Sequence, residues 1–65
     1  MDEYYHIFTD AWRLFRTMLN DPDRFSYGWW ERWVAENNAL GKKYPGRFTR
    51  DLINTMTGEM ERIKE

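Results

Sequence analysis

Between Ser26 and Tyr44 the apolar residues line one side of a helix, and this stripe constrains the fold more than any other feature of the chain. At about 100° per residue, Trp29, Trp30, Trp33, Val34, Asn37, Leu40, Gly41 and Tyr44 share one arc. Glu31, Arg32, Glu36, Asn38, Lys42 and Lys43 lie opposite. Three tryptophans are therefore expected to look inward. Asn37, in the middle of their arc, predicts a buried amide bonded to an indole N–H or a backbone group.

The flanking segments repeat the pattern. Residues 3–20 read as a first helix, with Asp2 as its cap and acids in the first turn, where the helix dipole favours them. Its apolar side spans about half the circumference, from Tyr4, Tyr5, Phe8, Trp12, Phe15 and Leu19 round to Ile7, Ala11, Leu14 and Met18. A stripe that wide touches two neighbours. Asn20-Asp21-Pro22-Asp23 stops this helix, because proline lacks an amide hydrogen and aspartates favour turns. Ser26 caps a second helix over 26–43, and Tyr44-Pro45-Gly46 ends it. The third helix, 47–64, has Phe48, Leu52, Ile53, Met56, Met60 and Ile63 on one arc. Gly58 fits it poorly, and Glu59 projects into the apolar arc. Three amphipathic helices joined by short turns predict a single all-α domain, a compact three-helix bundle with consecutive helices antiparallel. The alternative is a helical hairpin whose third helix completes its core in a dimer.

A chain of 65 residues holds one core, near the lower limit for folding without staples. It has no cysteine, which excludes disulfides and thiolate metal sites and makes the cytoplasm the simplest compartment. No apolar run approaches the ~20 residues of a membrane span, and the acidic start does not read as a signal peptide. No membrane partner is expected.

Little catalytic chemistry is encoded. His6 and Asp10, at i and i+4, are the spacing of two metal ligands or of a base and its orienter, but no third ligand is near, so a surface pair is expected. Asp21 and Asp23 lack the spacing of a calcium loop and read as turn caps. The scattered glycines form no phosphate loop, and the single serine, Ser26, lies outside any nucleophile motif. No cofactor, no metal and no enzymatic activity are expected.

Charge and aromatics carry the remaining signal. Residues 13–50 hold eight basic and four acidic residues, whereas both flanks are acidic. The basic turn around Lys42, Lys43 and Arg47 could face an acidic partner. It could also lead into a recognition helix with Arg50, Asn54 and Thr57 on bases, as in a helix-turn-helix DNA regulator. Aromatic residues make up 18% of the chain. Helical spacing puts Phe8, Trp12, Phe15, Trp33 and Phe48 in the core. Tyr5, Phe25, Tyr27, Trp29 and Trp30 lie at the arc edges, where so small a bundle cannot cover them all, and exposed aromatics are the usual anchors of protein interfaces.

Three segments extend the picture: Tyr4-Tyr5-x-x-Phe8-x-x-Ala11-Trp12-x-Leu14-Phe15, Gly46-Arg47-Phe48-x-x-Asp51-Leu52, and Gly58-Glu59-Met60-Glu61-Arg62. Together they resemble short uncharacterised proteins encoded in bacterial prophages and conjugative elements. The resemblance implies a setting and transfers no site residue. Small products of mobile elements often bind and inhibit host proteins, nuclease-based defence complexes among them, or regulate the element's own genes.

The sequence thus predicts a non-enzymatic module that binds a protein through Phe25, Tyr27, Trp29, Trp30, Lys42, Lys43 and Arg47. DNA reading through Arg50, Asn54 and Thr57 is the first alternative, and a structural homo-oligomer, with surplus aromatics buried across a twofold interface, is the second.

Overall fold

The computed structural model describes residues 2–65. It contains α1 (Asp2–Leu19), α2 (Tyr27–Lys43) and α3 (Arg47–Lys64), each packed against the other two. The ends fall within a residue of those expected. The Ser26 hydroxyl accepts from the Trp29 amide at 3.2 Å and caps α2. Asp21 folds its own turn by accepting the Asp23 amide at 2.8 Å. Asp2, expected as a cap, lies inside the first turn of α1, and the position before it is outside the described residues.

Cross-helix contacts fix the directions. Met18 meets Trp29 while Asp10 meets Lys43 and Tyr44, so α1 and α2 run antiparallel. Trp33 reaches Thr57, and Lys64 sits over the Trp30 ring, so α2 and α3 do too. Tyr4 and Phe8 both touch Phe48, leaving α1 and α3 parallel. The result is a rod of 35 × 18 × 17 Å.

Its core is built from few, large groups. Trp29 and Trp33 are buried with ring planes 3° from parallel and centroids 5.7 Å apart. Ala11 and Met18 of α1, Leu40 of α2, and Met56 and Met60 of α3 close around them. Flat indoles leave irregular gaps, and unbranched methionines fill such gaps well. Both buried indole N–H groups are satisfied: Trp29 donates to the Met18 carbonyl at 2.8 Å, and Trp33 to the Thr57 hydroxyl at 2.9 Å. Asn37 is buried as expected. Its amide nitrogen donates to the Trp33 carbonyl one turn back, while its Oδ1 has no partner among the described residues.

Two backbone positions among the described residues are special. Phe25 has φ 71°, a region bulky residues avoid. It is held there by its ring, which packs edge-on to Trp29 and beside Trp30. Gly46 starts α3 at φ 141°, a conformation essentially restricted to glycine. At the other end of α3, Glu59 is half-buried, and its carboxylate is bound by Arg62, which holds it below the usual carboxylate range.

Candidate functional site

The most exposed aromatic surface is on α1 rather than α2. Tyr4, Tyr5, Phe8 and Trp12 are 53%, 67%, 54% and 58% exposed, and Phe48 of α3 is 38% exposed. They form one patch. Phe48 packs edge-on to Tyr4 and to Phe8, with centroids 5.1 and 5.3 Å apart, and Trp12 stacks on Phe15. Phe8, Trp12 and Phe48, expected in the core, are thus half out of it. The reason lies in the width of the α1 stripe: α2 and α3 cover the side centred on Ile7, Ala11 and Met18, the side carrying Tyr5, Phe8 and Trp12 turns outward, and Phe15 is half-buried against the core between them.

The residues expected to anchor a partner separate. Trp29 is fully buried and hydrogen-bonded within the bundle, so it presents nothing to a partner. It follows the core line Trp29, Trp33, Asn37, Leu40, spaced by four, four and three residues, and that spacing is the signal that marks it as interior. Phe25 and Trp30 are half-buried against it, the latter under Lys64. Tyr27 is 80% exposed and sits with Val34 on the outer side of α2, away from the α1 patch.

The basic turn is partly committed to the fold. Lys43 pairs with Asp10 at 3.0 Å and Arg47 with Asp51 at 3.5 Å. Among the described residues Lys42 and Arg50 have no ion-pair partner. The three residues considered for DNA also divide: Arg50 and Asn54 are exposed on α3, whereas Thr57 is half-buried with its hydroxyl engaged by Trp33.

Asp10 is a junction the sequence did not suggest, because Lys43 and Tyr44 lie more than 30 positions away. It accepts from the Tyr44 hydroxyl at 2.6 Å and from Lys43 Nζ at 3.0 Å, tying the middle of α1 to the end of α2. These bonds, Tyr44 first, hold its carboxyl below the usual range, and the same contact pushes the Tyr44 and Lys43 values up. His6 stays out of this junction and stands beside Tyr5.

Among the described residues no three His, Asp or Glu side chains converge as a metal would need, and no helix is long and apolar enough to cross a membrane. The shallow groove between α2 and α3 is lined by Asn37, Asn38, Gly41, Arg50, Ile53 and Asn54. No family model matches the chain, and comparison with curated proteins and with solved structures gives no match.

Proposed function

We propose that this protein is a non-enzymatic binding module that docks the aromatic face of α1 on another polypeptide. The observation that carries the reading is the contiguous exposure of Tyr4, Tyr5, Phe8 and Trp12 beside Phe48. Exposed rings clustered on one rigid helix are the usual composition of an interface centre, and little conformational entropy is lost when a preformed helix face docks. The mechanism is occlusion: the bundle covers whatever surface it binds. The resemblance to prophage and conjugative-element proteins adds a setting, in which the docked protein belongs to the host or to the element itself. The DNA alternative has weaker support, since Thr57 is turned into the fold and part of the basic turn is paired internally.

A photocrosslinking amino acid placed in turn at Tyr5, Trp12, Arg50 and, as a control, Glu36 tests this in cells. Protein crosslinks at Tyr5 and Trp12 but not at Glu36 are expected. Crosslinks to nucleic acid at Arg50, with none at Tyr5 or Trp12, would replace this reading with the DNA alternative.

A further inference from the structure

The outward side of α1 has a regular spacing. Tyr5, Phe8, Trp12, Phe15 and Leu19 recur at alternating intervals of three and four residues, the seam of a two-stranded coiled coil. The core-facing residues Ile7, Ala11, Leu14 and Met18 form a separate line about a quarter-turn away. α1 thus carries two seams, one used inside the bundle and one open over Tyr5, Phe8 and Trp12, with Phe15 and Leu19 half-buried against the core at its far end. From this we infer that the occupant of the open seam is a second copy of the chain, its α1 antiparallel to the first across a twofold axis level with residue 10. The inference rests on the binding role assigned to this face and names its partner.

Three observations favour a second copy in this orientation. Antiparallel pairing puts Tyr5 against Phe15 of the second copy and Phe8 against its Trp12, so the four layers these residues form are aromatic on aromatic. In that register the positions flanking the seam, offset by two residues from direct opposition, bring Asp2 beside Arg16 of the second copy and Thr9 beside its Thr9. Asp2 and Arg16 are both exposed, and among the described residues neither has an ion-pair partner within the chain. The parallel arrangement would instead gather Asp2 and Glu3 of both copies at one end and Arg13 and Arg16 at the other, which is repulsive. The area also suffices. Aromatic side chains offer about 200 Å² each, so the exposed fractions leave on the order of 500 Å² per copy. With Tyr4 and Phe48 covered beside the seam, two copies bury up to about 1,000 Å², the lower limit for a specific interface and the range of weak, transient pairs.

Sedimentation equilibrium across micromolar to millimolar concentrations tests the pairing. The expected result is an average mass rising toward twice 8.1 kDa. Phe8→Glu is expected to keep the protein monomeric. Asp2→Arg or Arg16→Asp alone should weaken the dimer about tenfold, because each sets like charges together at two symmetric places. The double variant should return to within about threefold of the unmodified chain. Helical circular dichroism of each variant shows that the fold is kept, which exposed charge changes on α1 should not disturb. A unmodified chain that stays monomeric throughout overturns the inference, and a dimer indifferent to both charge changes overturns its orientation. If the chain is monomeric yet crosslinks from Tyr5 to a different protein, the binding role stands without self-pairing. If it is monomeric and gives no crosslink, both fall.

Discussion

Replacing Trp29 by phenylalanine should measure how much of this fold depends on one indole. The ring is fully buried, stacked on Trp33 and edge-on to Trp30, and its N–H bonds the Met18 carbonyl in the last turn of α1. Phenylalanine keeps a ring in the site but removes the donor and leaves a gap where the second ring was. The Met18 carbonyl retains a longer bond from the Asp21 amide at 3.3 Å, so the hydrogen-bond loss belongs at the lower end, about 1 kcal/mol. The gap adds a comparable amount, for a combined cost of about 2–3 kcal/mol, against roughly 3–5 for full truncation to alanine. A domain this size has a total stability on the order of 3–10 kcal/mol. Trp29→Phe should therefore fold with a melting temperature lowered by about 10–20 °C, and Trp29→Ala should melt lower still. Urea titration followed by far-ultraviolet circular dichroism gives the free energies. If Trp29→Phe unfolds at the same urea concentration as the unmodified chain, neither the buried bond nor the packing assigned to Trp29 holds α1 to α2.

Gly58 is exposed in the interior of α3 and a Cβ there meets nothing within 4 Å, so Gly58→Ala should stabilise by about 0.5–1 kcal/mol in the same titration. Gly46→Ala also meets no atom, yet its φ of 141° is hostile to any side chain, and a loss of about 1–3 kcal/mol is expected; an unchanged midpoint would mean α3 starts differently. Asn37→Leu removes a buried oxygen that has no partner and keeps a similar shape, so thermal melts should show equal or higher stability, and a large loss would reveal a bond to Oδ1 that the fold does not show. The Asp10 carboxyl is held below its unfolded value, so its stabilisation is present above the unfolded range and lost as pH falls through the folded one. Asp10→Asn should accordingly be less stable than the unmodified chain at neutral pH, and the gap should close in acid; a gap constant with pH would refute the ionic role.

Much of the fold was legible because each helix carries its own punctuation. Pro22, Ser26 and the Tyr44-Pro45-Gly46 turn set the boundaries, and the single narrow stripe of α2 made both the inward tryptophans and the buried Asn37 readable. The wide stripe of α1 was different. Periodicity shows that Phe8, Trp12 and Ile7 lie on an apolar half-cylinder, but which part meets α2 and α3 depends on how the helices cross, a property no single helix encodes. The sequence therefore points to α2 for the candidate face, and Trp29, expected at an arc edge, is central to the core. The Asp10, Lys43 and Tyr44 junction was invisible for a related reason: it joins residues that only the finished packing brings together.

Three helices alternating in direction leave the two chain ends at opposite tips of the 35 Å rod. A domain joined ahead of α1 and another joined after α3 would be held apart by most of that length, with the protein as a stiff spacer between them. In the antiparallel pair each tip would present one beginning and one end of a chain. A donor dye on one copy's amino terminus and an acceptor on the other's carboxyl terminus would then sit at the same tip and transfer energy efficiently, whereas dyes on the two amino termini would be separated by the length of the rod.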